Sequence, residues 1–116
     1  MPILDWTQPI EAEGFLAEKG SGFIFKHSTR CPISAEADRA FAEFLRRQPE
    51  APVHRVLVIE SRPASTAITT KLGIPHESPQ AILLRDGVPV WSASHWDITA
   101  GALLTAWSEG GPRAAP

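Results

Sequence analysis

The feature that most limits how this chain can fold is a pair of unbroken apolar runs set either side of a long amphipathic segment. The first lies in Gly22-Phe23-Ile24-Phe25-Lys26 and the second is Val56-Leu57-Val58-Ile59, within 53–59. A strand covered on one face alternates apolar and polar residues, whereas an unbroken run suits a strand covered on both. Between the runs, Ile33, Ala37, Ala40, Phe41, Phe44 and Leu45 recur at helical spacing, and Glu36, Asp38, Arg39, Glu43, Arg46 and Arg47 fall mostly on the other side. Pro32 suits a first helical position, Arg46 and Arg47 complement the negative end of the helix dipole, and Pro49 closes the segment. The spacing predicts a helix over 32–47. Strand, long helix and strand make a βαβ unit, which implies parallel pairing.

The remaining segments fall around that unit. A helix is predicted over 8–18, with Thr7 as cap and Pro9 in the first turn. Another is predicted over 65–72, after Arg62-Pro63 and stopped by Gly73 and Pro75. Residues 81–85 and 88–92 read as a hairpin about Asp86-Gly87, a pair that tolerates the positive φ such turns require. Pro89 cannot donate to a ladder, so its strand belongs at a sheet edge. Ala100, Leu103, Leu104 and Trp107 mark a last helix, capped by Asp97 or Thr99. The order α-β-α-β-α-β-β-α describes an α/β domain with a four-stranded mixed sheet and flanking helices over 1–107. Residues 108–116 are expected to be a mobile tail.

Composition narrows the function. The 116 residues suit one domain, and a net charge of −2 offers no basic surplus for nucleic acid. The first residues lack the cationic flank and apolar run of a secretory signal, and no apolar stretch approaches the ~18 residues of a membrane span. A soluble, cytoplasmic protein is expected. The chain has one cysteine, Cys31. It cannot close an intrachain disulfide, so covalent chemistry there requires a thiol or electrophile from a second molecule.

Loops leaving the C-terminal ends of parallel strands share one edge of the sheet, where ligands prefer to bind. That edge carries Lys26 to Cys31 and Glu60 to Ser65. Cys31 would cap the helix over 32–47, facing unpaired N–H groups and the positive end of the dipole. Both favour the thiolate, which is the nucleophilic form, and Lys26, Arg30 and Arg62 add positive charge. A lone cysteine is often inert core filler. Polar Thr29-Arg30 before it and a helix-opening proline after it argue against that role here.

Lys26-His27-Ser28-Thr29-Arg30-Cys31-Pro32-Ile33-Ser34 resembles the active-site segment of monothiol bacilliredoxins of the YtxJ type. Arg62-Pro63, then His76-Glu77-Ser78-Pro79-Gln80, then Trp91 through Ser94-His95 to Ile98-Thr99 match in order, so the resemblance spans roughly residues 9–107. It implies a thioredoxin-like three-layer fold and a thiol–disulfide oxidoreductase that removes bacillithiol from mixed disulfides on client proteins. Bacillithiol would be a co-substrate, with no permanently bound cofactor and no metal, and the protein a monomer. Cys31 is then the nucleophile, and a second bacillithiol must regenerate it because no resolving cysteine exists.

The resemblance also implies the surroundings of the sulfur. Pro79 corresponds to a cis-proline facing it, and the backbone of Ser78 pairs with bound peptide or thiol. Lys26, His27, Thr29, Arg30, Pro32 and Ser34 are the remaining candidate substrate-binding residues. Lys26 and Arg30 suit the carboxylates of bacillithiol's malate unit. His27 either handles the thiol proton or shapes its loop, and Thr29 and Ser34 either donate to the sulfur or satisfy nearby backbone. Arg62 fits either a salt bridge under the site or ligand contact, with the former favoured, and Trp91 and Trp96 fit packing ahead of recognition. Two other readings are a [2Fe–2S] carrier using Cys31 and the small thiol between two protomers, and an interaction module with an idle thiol.

Overall fold

The computed structural model describes residues 3–110. Its elements are β1 (Leu4–Trp6), α1 (Pro9–Ala17), β2 (Gly22–His27), α2 (Pro32–Arg47), β3 (Val53–Leu57), α3 (Arg62–Leu72), β4 (Gln80–Arg85), β5 (Val88–Ser94) and α4 (Ala100–Gly110), with a 3-10 turn over His95–Asp97 before α4. The strands form one five-stranded sheet in the order β1-β3-β2-β4-β5. β1 and β2 run parallel to β3, and β4 is antiparallel to both β2 and β5. No helix among the described residues is long and apolar enough to cross a membrane.

β2 is the central strand, and every residue from Gly22 to His27 is buried. This explains its unbroken apolar run, because alternate side chains of a strand enter opposite faces. Phe23 and Phe25 join Phe41 and Phe44 of α2 and Leu103 of α4 in one core. Ile24 joins Val56, Ile68 of α3, Ile82 and Ala12 of α1 in the other. The sheet thus lies between an α2/α4 layer and an α1/α3 layer. Along α2 the buried residues are Ser34, Ala37, Phe41 and Phe44, and the outer face carries the exposed pairs Arg39–Glu36 and Arg46–Glu43.

Four expectations need correction. The sheet has a fifth strand, β1, which was not anticipated because three residues are too few to display a period of two. Trp6 anchors it, 6% exposed, and Asp5 accepts from Arg55 at 2.6 and 3.0 Å. β3 ends at Leu57, short of Ile59: Val58 N–H donates to His27 O at 3.0 Å, and Ile59 is exposed as the chain turns away. α3 begins at Arg62, upstream of Ser65, because Pro63 sits within its first turn, where a missing N–H costs nothing. α4 continues to Gly110, into the segment expected to be a tail, and residues 111–116 lie outside the described residues.

Most of the other local signals act as anticipated, the cap of α1 excepted. Asp86 and Gly87 turn the hairpin at φ 53° and 80°, and Gly73 ends α3 in the left-handed region at φ 68°. Thr99 Oγ1 accepts from Ala102 N–H at 3.1 Å at the start of α4. Ahead of α1, the Glu11 carboxylate accepts from the N–H groups of Thr7 and Gln8 at 2.7 and 2.9 Å, so the cap is Gln8 and not Thr7. Pro89 lies on edge strand β5, beside a register shift that leaves Val90 unpaired against β4.

His54 of β3 is buried between Trp6, stacked at 4.5 Å, and the edge of Phe15 at 4.6 Å, and neither ring nitrogen has a partner among the described residues. Burial lowers its pKa from the ordinary 6.5. The unfolded chain therefore binds this proton more readily than the folded one, so the stability His54 allows is complete above about pH 6.5 and is lost as pH falls below it. Urea unfolding at about pH 7.5 and about pH 5 should show the decline. His54→Phe, which keeps a ring in the slot, should flatten it by at most ~1.4 kcal/mol per pH unit. An identical slope in the variant would assign the acid sensitivity to other groups.

Candidate active site around Cys31

Strand β2 delivers the chain to the sheet edge at His27, and a turn over Ser28–Arg30 brings Cys31 to the N-cap of α2. Cys31 is extended, at φ −113° and ψ 122°, with Pro32 at the first helical position. Its carbonyl accepts from Ala35 N–H at 3.0 Å and its N–H donates to Ser28 O at 3.4 Å. The thiol is half-buried and makes no capping bond. The sulfur thus stands beside the unsatisfied N–H groups of a helix of 16 residues and remains reachable.

The turn beneath it is tightly bonded. Ser34, fully buried, accepts from Ser28 N–H at 2.9 Å and lies 2.7 Å from His27 Nδ1. Of the two roles foreseen for Ser34, backbone satisfaction is the one observed. Burial lowers the pKa of His27, and the nearby Asp38 carboxylate opposes that shift. Burial thus favours the uncharged form of His27, whose Nδ1 is held against Ser34 Oγ. Thr29 Oγ1 donates to Glu60 at 3.3 Å, joining this turn to the β3–α3 loop. Arg30 is exposed and its N–H donates to Ser28 Oγ at 3.4 Å, while Pro32 is exposed beside the sulfur.

The second half of the site comes from the start of β4. The Ser78–Pro79 bond is cis, as the resemblance implies. Lys26 pairs with Gln80 across the β2–β4 ladder, so one step further along the same edge lie His27 and Pro79. Pro79 O accepts from His95 N–H at 3.0 Å, and Gln80 Nε2 donates to Pro75 O at 3.1 Å. Buried Ser78 Oγ and Gln80 Oε1 have no partner among the described residues. His95 pairs with Glu77 at 3.2 Å, and Trp96 is 65% exposed, which corrects the reading of Trp96 as packing. Trp91 does pack, edge-on to Phe23 at 6.0 Å.

Lys26 does not lie on the rim. It is fully buried on the α1/α3 side of the sheet, where Nζ donates to Thr69 Oγ1 at 2.7 Å and to His76 Nδ1 at 3.1 Å. Burial pushes its pKa down to about 8. Arg62 forms no ion pair among the described residues, so the expected salt bridge beneath the site is not formed. Thr69, His76 and Glu60 were not foreseen as partners of the site's residues, since they meet it only through tertiary folding.

Residues 6–103 match the family described as monothiol bacilliredoxin BrxC. A solved structure described as having a thioredoxin fold is 33% identical, with 90% of this chain and 92% of that chain covered and a TM-score of 0.82. The oxidised mitochondrial thioredoxin 3 of Saccharomyces cerevisiae is similar at 16% identity, with 92% and 94% covered and a TM-score of 0.71. Thioredoxin O2 of Arabidopsis thaliana is similar at 11% identity, with 95% of each chain covered and a TM-score of 0.74. At the last two identities the likeness shows the fold alone, and that fold is thioredoxin-like.

Proposed function

The chain belongs to the monothiol bacilliredoxin family, and from that membership we propose that it removes bacillithiol from mixed disulfides on client proteins, with the Cys31 thiolate as nucleophile. The observation that carries this reading is the position of Cys31: half-buried, unbonded at its sulfur, at the mouth of α2 and on the same edge as cis-Pro79.

The client's mixed disulfide docks along Ser78-Pro79, whose backbone offers polar groups to the incoming chain, with Thr29, Arg30 and Pro32 on the exposed rim. The Cys31 thiolate attacks the bacillithiol sulfur. A new S–S bond forms between them as the client's S–S bond breaks, and the electron pair leaves with the client thiolate, which takes a proton from water. A second bacillithiol, as thiolate, then attacks the bacillithiol sulfur on Cys31, restoring the Cys31 thiolate and releasing bacillithiol disulfide. One free bacillithiol is consumed for each client thiol released, and it leaves joined to the bacillithiol taken from the client. His27 contributes by holding the turn through Ser34, which fixes the approach to the sulfur. The cytoplasm, where small thiols keep cysteines reduced, suits the cycle.

The test is to incubate the full chain with a bacillithiolated protein and measure its intact mass. A gain of one bacillithiol, placed on Cys31 by peptide mapping and removed by added bacillithiol, is the expected result. A client that is freed with no transient adduct on Cys31, or that stays modified, would overturn the reading.

A further inference from the structure

A cavity of about 370 Å³ opens beside α3, between that helix, the β3–α3 loop and the segment leading to cis-Pro79. Arg62, Ser65, Thr66 and Thr69 line one wall, spaced i, i+3, i+4 and i+7, so they form a single face of α3. His76 also lines it, and Val58 and Ile59 supply the apolar part. Thr69 and His76 are also the two groups that hold the Lys26 ammonium, which lies fully buried behind them.

Of the lining residues, Arg62 alone carries a permanent charge. No carboxylate lines the cavity, and among the described residues neither Lys26 nor Arg62 forms an ion pair. The hydroxyls of Ser65 and Thr66 likewise bond to nothing among the described residues. A buried ammonium is costly without a counter-charge, and burial already weakens its hold on the proton. An acid group seated against Arg62 and the hydroxyls would supply that counter-charge through charge-assisted hydrogen bonds.

We propose that this cavity is an anion subsite that takes the carboxylate end of a small organic acid, held by Arg62 and the hydroxyls of Ser65 and Thr66 over buried Lys26 and its partners Thr69 and His76. The cavity adjoins the loop that Thr29 and Val58 bond to the Cys31 turn, at 3.3 and 3.0 Å. The cavity and the Cys31 turn thus share one loop, and we take the acid to be part of a thiol whose sulfur reaches Cys31. That source of the acid rests on the exchange reading above, whereas the subsite itself does not.

Titration of the full chain with succinate, followed by amide NMR shifts, tests the subsite. Saturable shifts at residues 62–69 and 76 are expected, weakened about fivefold or more in Arg62→Ala and in Thr66→Val. Absence of saturable shifts there, or the same shifts from chloride at matched ionic strength, overturns the proposal. Two model mixed disulfides then separate the sources. Faster release of mercaptosuccinate than of mercaptoethanol, with a preference that shrinks in Arg62→Ala, supports an acidic thiol as occupant. Equal rates with the succinate shifts intact support a free organic acid. A Cys31 that resists alkylation sinks the exchange reading while leaving the succinate result standing.

Discussion

Cys31→Ser is expected to reduce release of bacillithiol from a client protein to the uncatalysed background, a loss of about a thousandfold or more. The argument is chemical. Serine is nearly the size of cysteine and can occupy the same N-cap, but its hydroxyl is scarcely ionised near neutrality and does not attack a disulfide sulfur. No other cysteine exists to take over, since Cys31 is the only one in the chain. The variant should also show no mass adduct. Its unfolding free energy should stay within about 0.5 kcal/mol of the parent, because the parent thiol makes no capping bond to lose. Release at more than a small fraction of the parent rate in Cys31→Ser would mean that the client is freed by some other group.

The largest expected effect on stability comes from Phe23→Ala. Phe23 is fully buried at the centre of the α2/α4 core, with ring centroids 5.6 Å from Phe41, 5.2 Å from Phe44, 6.0 Å from Trp91 and 6.2 Å from Trp107. These rings come from α2, β5 and α4, so truncation opens a void shared by three elements that cannot all move inward together. A loss of about 3–5 kcal/mol is expected, a large part of the ~5–15 kcal/mol that keeps a domain folded. Urea unfolding measures it directly. A cost below about 1 kcal/mol would show that the surrounding rings collapse into the space.

What could be read from the residues alone follows from which contacts are local. α2 was legible from end to end, Pro32 to Arg47, because its proline, its apolar period and its terminal arginines all lie within the segment. The βαβ unit was legible because β2 is buried on both faces and therefore runs apolar without a break. β1 carries no such pattern; its place depends on Trp6 meeting Phe15 and His54, and on Asp5 meeting Arg55 from far along the chain. The end of β3 was misjudged because Ile59, apolar and last in its run, is carried off the sheet by the turn into α3.

The site divides in the same way. Cys31 and Pro79 could be placed because a proline-opened helix after a strand, and a Ser-Pro pair before one, are short-range signals. The direction of the Lys26 side chain could not. Its partners Thr69 and His76 lie 43 and 50 residues away, and a lysine at the end of a strand carries no mark that it turns inward. Arg62 had the converse problem, since a missing partner is visible only once the fold shows which carboxylates fail to arrive.

The two margins of the sheet have a consequence for how copies of this chain behave together. On one side β1 offers three residues, with Asp5 already committed to Arg55. On the other, β5 presents a proline and a bulge. Neither outer row of amides and carbonyls is long or regular enough to recruit a strand from a neighbour. Concentrated solutions should therefore resist growth into fibrils from the native state, even though Val88 and Val90 leave apolar side chains at the border.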